Sequence, residues 1–435
     1  MSTSASAERG LRTLWPLILI TCLFFFWGMA NNLNDILIPQ FKKAFTLSDF
    51  ESSFVQSFFY VGYFLMALPA GYVIRRFGYK SAVVAGLLLF AAGALMFYPA
   101  SEIGEYRWFL GALFVIASGL AFLETSANPL ITVLGPPEKS AFRLNLAQSF
   151  NPLGSLTGVF IGQQFILSGL EASPDYLATL DETQTHAFYL SEVRAVQGPY
   201  LLIGLGILLW AVLVMFSKFP SVATHHADTD RDGDIGFFAS LGQLFGKPRF
   251  LFGVLAQFFY VGAQVGIWSF MIRYAQIEID LTAKDATTYV IVTLALFWAG
   301  RIVGTALMSR IRPSLILSLF ALINIGLTIY AATVGGQTGL YALVASSFFM
   351  SIMFPTIFAT SVQGLGNLTK TGSSLLVMSI IGGAVLTAVM GYVSDHSHIR
   401  MAFLVTTVCF VVIALYALRA PKDAAGAPPP VAAGH

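Results

Sequence analysis

Twelve stretches of this chain are too long and too evenly apolar to fold as anything but membrane crossings. They fall at 15–38, 52–75, 81–101, 107–134, 142–168, 198–217, 251–276, 288–310, 313–335, 337–364, 372–394 and 400–419. About 20 predominantly apolar residues carry a helix across the hydrocarbon core. None of the stretches has the 9–11-residue alternation of a membrane strand. Composition points the same way. The chain is 56% hydrophobic and only 11% charged, against about 25% charged in a soluble domain, and its mean hydropathy is +0.75. The expected fold class is an all-α membrane protein, with the lipid bilayer as its surroundings.

The first stretch reads as a crossing rather than a cleavable signal, because it exceeds a 7–15-residue signal core and lacks small residues at a cleavage position. Cys22 and Cys409 both lie within crossings, so a disulfide framework is not expected. Orientation follows from Lys and Arg. With the N-terminus inside, seven of the 24 fall outside (Lys42, Lys43, Arg107, Arg194, Arg273, Lys284 and Arg400), Arg301 lies within a crossing and sixteen fall inside. The expectation is a multi-pass protein with both termini cytoplasmic. The glycosylation sequon at Asn367 then faces the cytoplasm and is discarded. The net charge of +2 reflects topology, and no nucleic-acid partner is expected.

The longest inside break, about 218–250, divides the crossings six and six, and the halves echo each other. Phe25-Phe26-Trp27-Gly28 recurs as Phe259-Tyr260-Val261-Gly262. Gly154, Gly158 and Gly162 align with Gly383, Thr387 and Gly391, and Pro129 matches Pro355. Repeated six-crossing halves are the mark of the major facilitator fold, in which two bundles rock about a site near the midplane. The expected domains are a six-helix bundle over 1–217, a cytoplasmic linker over 218–250, a second bundle over 251–420 and a disordered tail over 421–435. Between crossings two and three lies Gly71-Tyr-Val-Ile-Arg75-Arg76-Phe-Gly78-Tyr-Lys80, with Arg310 and Arg312 as its counterpart between eight and nine. It reads either as a loop locking the bundle ends or as a positive-inside anchor.

Polar groups inside the crossings are the candidates for function. Glu124 is the sole charge between Phe109 and Gly135. At 1.5 Å rise per residue it lies roughly 15 Å from the inner end of its helix, near mid-bilayer. Asp35 lies roughly 30 Å along its own helix, towards the outside. Burial penalises a carboxylate's charged form, which lets a carboxyl at that depth exchange a proton near neutral pH. Asn31, Asn32 and Asp35 share one helix face, as do Glu124 and Asn128. Asn145, Gln148 and Asn151 follow at three-residue spacing, and Gln264 and Trp268 are one turn apart. Amides with a carboxylate match the donors and acceptors of sugar hydroxyls, although amides also join helices. Trp268 offers a stacking surface for a sugar ring. The stripe Gln56, Tyr60, Tyr63 reads mainly as packing.

Several other features carry less. Arg301 either pairs with a carboxylate or reaches an interface. Asp228-Thr-Asp230-Arg-Asp232-Gly233-Asp234 imitates the opening of a calcium loop, but its twelfth position is Ala239 rather than Glu. It reads as a solvated linker, so no metal is expected. The His residues lie in loops, in the tail or beside a crossing's end. No Ser/His/Asp or metal-ligand cluster lies within the crossings, so an enzyme is not expected.

Asn31-Asn-Leu-Asn-Asp-Ile-Leu-Ile-Pro39, Leu123-Glu-Thr-Ser-Ala-Asn-Pro129, Val133-Leu-Gly-Pro136, Phe142-Arg-Leu-Asn-Leu-Ala-Gln148 and Tyr260-Val-Gly-Ala-Gln264 resemble the fucose:proton symporter family of the major facilitators, over about 20–400. The resemblance implies a bacterial inner-membrane symporter driven by the proton gradient, with no other cofactor. It implies proton coupling by Asp35 and Glu124, with Glu124 also near the sugar, and cavity positions at Asn32, Gln148 and Asn151.

The family also carries glucose, galactose and N-acetylglucosamine, so the sugar stays open. The reading is therefore a monomeric proton-coupled monosaccharide symporter. Asp35 and Glu124 would couple protons, and Asn31, Asn32, Glu124, Asn128, Gln148, Asn151, Gln264 and Trp268 would hold the sugar. The rivals are a non-transporting sugar sensor, which would need soluble signalling segments, and a lipid flippase, which suits the cavity amides less well.

Overall fold

The computed structural model describes residues 2–47, 51, 54–133, 137–166, 180–219, 236–281 and 283–419, and these are helical with short connections. In chain order the α-helices are α1 (Ser2–Ala44), α2 (Phe54–Ile103), α3 (Tyr106–Val133), α4 (Ser140–Gln148), α5 (Phe150–Ile161), α6 (Glu182–Arg194), α7 (Gln197–Phe216), α8 (Phe237–Phe245), α9 (Pro248–Ile279), α10 (Ala283–Leu307), α11 (Pro313–Thr333), α12 (Gly336–Met350), α13 (Met353–Val362), α14 (Thr369–Met378), α15 (Gly382–His396) and α16 (Ile399–Arg419). Followed through their breaks, they make the twelve expected passes among the described residues. α2 supplies two of these, because it is interrupted at Gly78, where φ is 82° and ψ 168°. That conformation is essentially restricted to glycine, so the basic segment 71–80 is the place where the chain ends one crossing and begins the next.

Three passes are visibly broken among the described residues, two of them beside a proline and the third at Ser379–Ile381 between α14 and α15. α4 ends at Gln148 and α5 starts at Phe150, with Pro152 in its first turn. α12 ends at Met350 and α13 starts at Met353, with Pro355 in its first turn. Proline has no N–H, and its ring clashes with the carbonyl four residues back. The carbonyls of Gln148 and Ser351 therefore lose their helical partners.

Two elements lie outside the expected crossings. α6 precedes the sixth crossing and is opened by a capping box, in which Asp181 accepts from the Gln184 backbone and the Gln184 side chain accepts from the Asp181 backbone. α8 falls within the expected linker. The acidic run at 228–234 and the tail at 421–435 lie outside the described residues.

The chain forms two compact units, Met1–Ala127 with Phe150–Asp234, and Asn128–Ser149 with Ile235–His435. In the first, α1 packs directly on α5. A Cβ on Gly28 would overlap the Asn151 carbonyl, and one on Gly154 would overlap the Phe25 carbonyl. Backbones meet here because the side chains have been removed, which is how membrane helices gain van der Waals contact. Lys80 donates to the carbonyls of Met215 and Ser217 at 2.8 and 2.9 Å. It thereby caps the last turn of α7, whose carbonyls have no partners of their own. In the second unit, α9 packs against α15 and α16, and α11 against α12 and α16. The Tyr416 hydroxyl bonds Thr360 and Ser361 at 2.9 and 2.8 Å.

Candidate functional site

The polar residues singled out by the sequence divide between the two units. In the first unit, α3 carries Glu124, which is 1% exposed. Tyr63 of α2 lies near Glu124 and near the Trp27 side chain of α1. Tyr63 and Trp27 are themselves buried. The carboxyl is thus set among aromatic groups with polar tips, three helices contributing one residue each. Sequence reasoning took Tyr63 as packing and passed over Trp27.

Around Gly28 the same unit gathers amides. Asn32 Nδ2 donates to the Gly28 carbonyl at 3.1 Å, and Ser155 Oγ donates to it at 3.4 Å. The backbone of Asn151 abuts Gly28 itself. Asn31 is partly buried, and its Oδ1 accepts no hydrogen bond among the described residues. Asn32 and Asn151 are therefore brought together at the α1–α5 contact. Asp35 lies one turn beyond Asn31 on α1, but its side chain is outside the described residues. Asn34, on the other side of α1, donates to Gln56 Oε1 at 3.4 Å.

In the second unit, Asn128 and Gln148 are both buried and engage each other, with Gln148 Nε2 donating to Asn128 Oδ1 at 3.0 Å. Asn128 Nδ2 has no hydrogen-bond partner among the described residues. Asn145 donates to Thr356 Oγ1 at 3.2 Å and to the Ala141 carbonyl at 2.9 Å. Arg143 donates to the carbonyls of Ile131 and Thr132, at 3.2 and 2.7 Å, capping the end of α3. Gln264 and Trp268 sit one turn apart on α9, both partly buried. Trp268 Nε1 donates to Ser347 Oγ at 3.1 Å, and its ring meets Phe297 edge-on at 5.0 Å.

Among the described residues, Arg301 takes neither of the two roles left open for it. It is buried on α10, with Nε donating to the Ser351 carbonyl at 2.7 Å and Nη1 donating to the Gln148 carbonyl at 2.8 Å. Its guanidinium lies over the Phe297 ring at 4.7 Å. These are the two carbonyls deprived of helical partners by Pro355 and Pro152. One planar fork therefore satisfies both proline breaks. The legible signal was the sole arginine deep within a crossing; proline alone was not one, since Pro69, Pro99 and Pro129 also lie within crossings.

Among the described residues, no group of three or more His, Cys, Asp or Glu could hold a metal. The first unit holds a deeply buried carboxyl, and each unit carries buried or partly buried amides and hydroxyls.

The Major Facilitator Superfamily model matches residues 19–380. The chain is 46% identical over 405 residues to the L-fucose-proton symporter of Escherichia coli, covering 92% of each. It is 35% identical over 429 residues to the glucose/galactose transporter of Brucella abortus, covering 97% of this chain and 98% of that one. The crystal structure of a major facilitator transporter, FucP, in the outward conformation superposes with a TM-score of 0.85 at 46% identity, covering 93% of this chain and 98% of that one. The chain belongs to the major facilitator superfamily, within its fucose:proton symporter family.

Proposed function

We propose that the chain is a proton-coupled monosaccharide symporter of the bacterial inner membrane that takes up L-fucose or a related hexose by alternating access. The observation that carries this is Glu124, a carboxyl 1% exposed on a membrane helix in a chain 46% identical to a fucose–proton symporter. Charging a carboxyl at such a position is costly, so its proton state responds to what fills the space beside it. Glu124 carries the proton and Asp35 works nearer the outer mouth. Asn31, Asn32, Asn128, Gln148, Asn151, Gln264 and Trp268 hold the sugar. The bundles 1–217 and 251–420 rock about the site, the segment 218–250 links them, and both termini are cytoplasmic. The protein works as a monomer, with the proton gradient in place of a cofactor. A glucose or galactose carrier is the second reading, favoured by the likeness to the Brucella transporter.

The test is uptake of a sugar panel, including N-acetylglucosamine, into sealed vesicles with and without an imposed proton gradient. L-Fucose accumulation that collapses with the gradient is expected. Glu124→Gln should lose accumulation while retaining sugar exchange. Full gradient-driven uptake by that variant would overturn the proton role, and absence of any sugar flux in the parent protein would favour a sensor.

A further inference from the structure

α8 belongs to none of the twelve crossings, and the proposed transport cycle gives it no task. It has two distinct sides. Ser240 and Leu244 are buried, with Phe237 and Leu241 partly so, and they pack it against α9 and α14. On the other side Phe238 is 84% exposed and Phe245 63% exposed. These two are seven residues apart and so lie on one stripe, with exposed Gly242 between them. Among the described residues, nothing in the second unit covers the stripe.

Its surroundings are cationic. Lys247 and Arg249 are exposed immediately after it. Arg419 ends α16 over the ring of Phe252 at 5.6 Å, which places it at the same end of α9. Lys370 opens α14. The stretch 236–249 has no acid. At this end of the second unit, Glu138 is the one acid among the described residues, and Lys139 adjoins it.

Location supplies the occupant. Only Gly246 and Lys247 separate α8 from α9, which is apolar and long enough to cross the bilayer. A helix joined so closely to the start of a crossing lies at the boundary between headgroups and acyl chains. Phenyl side chains outside and lysine or arginine alongside are what an interfacial helix presents to an anionic leaflet. We propose that α8 is a lipid-docking element, its Phe238–Phe245 stripe seated in the headgroup boundary and Lys247 and Arg249 bound to anionic phospholipid. It anchors the junction between the linker and the second half of the transporter to the membrane plane. The inference rests on the membrane-spanning fold and not on the identity of the sugar.

The experiment uses the full chain with Cys22→Ser and Cys409→Ala, carrying a single nitroxide at Phe238→Cys, Phe245→Cys or Gln243→Cys. Each is reconstituted in phosphatidylcholine alone and with added phosphatidylglycerol, and oxygen and nickel-chelate accessibility are compared. The expected result is oxygen-favoured, nickel-protected labels at 238 and 245, deepening with phosphatidylglycerol, and a nickel-accessible label at 243. Lys247→Gln with Arg249→Gln should abolish the deepening, each lost cation weakening the response to anionic lipid about fivefold. Sugar uptake by the labelled proteins confirms that they are folded. Nickel access at 238 and 245 in both lipids would overturn the proposal. So would labels shielded from both reagents, which would mean that another part of this chain or a second copy covers the stripe.

Discussion

Replacing Arg301 by methionine tests whether one side chain really carries two proline breaks. Its Nε and Nη1 bonds reach the Ser351 and Gln148 carbonyls at 2.7 and 2.8 Å. A hydrogen bond from a charged donor contributes about 1.5–3 kcal/mol, and a buried acceptor left unsatisfied costs about 1–3 kcal/mol. Against these stands the cost of burying the cation, which methionine removes. The net loss for Arg301→Met should therefore be about 2–5 kcal/mol. Arg301→Lys should recover less than half of it, since an ammonium is a point donor that cannot span both carbonyls. The diagnostic step restores the missing N–H. Pro355→Ala supplies a donor to Ser351, and Pro152→Ala supplies one to Gln148. In either background the cost of Arg301→Met should fall by about 1–2 kcal/mol. The assay is unfolding of the purified protein by sodium dodecyl sulfate titration in mixed micelles, followed by circular dichroism across the four members of each cycle. Costs that add to within about 0.5 kcal/mol in both proline backgrounds would refute the reasoning, and Arg301 would then act through something other than the freed carbonyls.

Other outcomes follow from contacts elsewhere. Glu192 is buried at the base of α6, accepting from Gln40 and pairing with Lys43, both at 2.7 Å. Glu192→Gln should cost about 1–3 kcal/mol and open α6 to limited proteolysis before the rest of the chain, and unchanged cleavage would argue against the tether. Gly78→Ala should cost about 1–3 kcal/mol, because alanine does not tolerate φ 82° with ψ 168°; a thermal scan showing no loss would contradict that. Gly154→Val should fail to assemble the α1–α5 contact, read as loss of monodisperse protein, since even a Cβ overlaps the Phe25 carbonyl. Glu102 is held below the usual carboxylate range, first by Gln197 donating at 2.7 Å and then by Arg194, against desolvation. A depressed folded-state pKa stabilises above the group's ordinary value and loses that effect as pH falls through the lowered one. Glu102→Gln should therefore flatten the acid side of the stability–pH curve, and an unchanged slope would refute it.

The candidate residues were legible because the bilayer makes polar residues conspicuous. Glu124 stood out as a lone charge, and the structure buries it; Asn32 and Asn151 were picked out on two helices, and the structure groups them at one helix contact. Other features were hidden by ambiguity in local patterns. Tyr63 looked like packing because an aromatic stripe at helical spacing is ambiguous until its neighbours are known. Asn128 and Gln148 both read as sugar ligands, yet Gln148 donates to Asn128, so part of their bonding capacity is already used. α6 went unseen because a polar helix leaves no hydropathy signal, although the capping box Asp181–Gln184 was there to read.

What composition and order decided was the number, length and spacing of the crossings, since a lipid interior demands about 20 apolar residues per pass and tolerates a charge only where it works. The glycine at position 78 marked a break, because its φ/ψ is local to the backbone, whereas proline alone did not, since Pro69, Pro99 and Pro129 lie inside continuous helical stretches. Tertiary structure decided the partners. Arg301 meets a carbonyl 153 residues away in the chain, and Asn145 meets a hydroxyl 211 residues away. A hydrogen bond is set by distance in space, and no periodicity in the sequence encodes which distant turn a side chain will face.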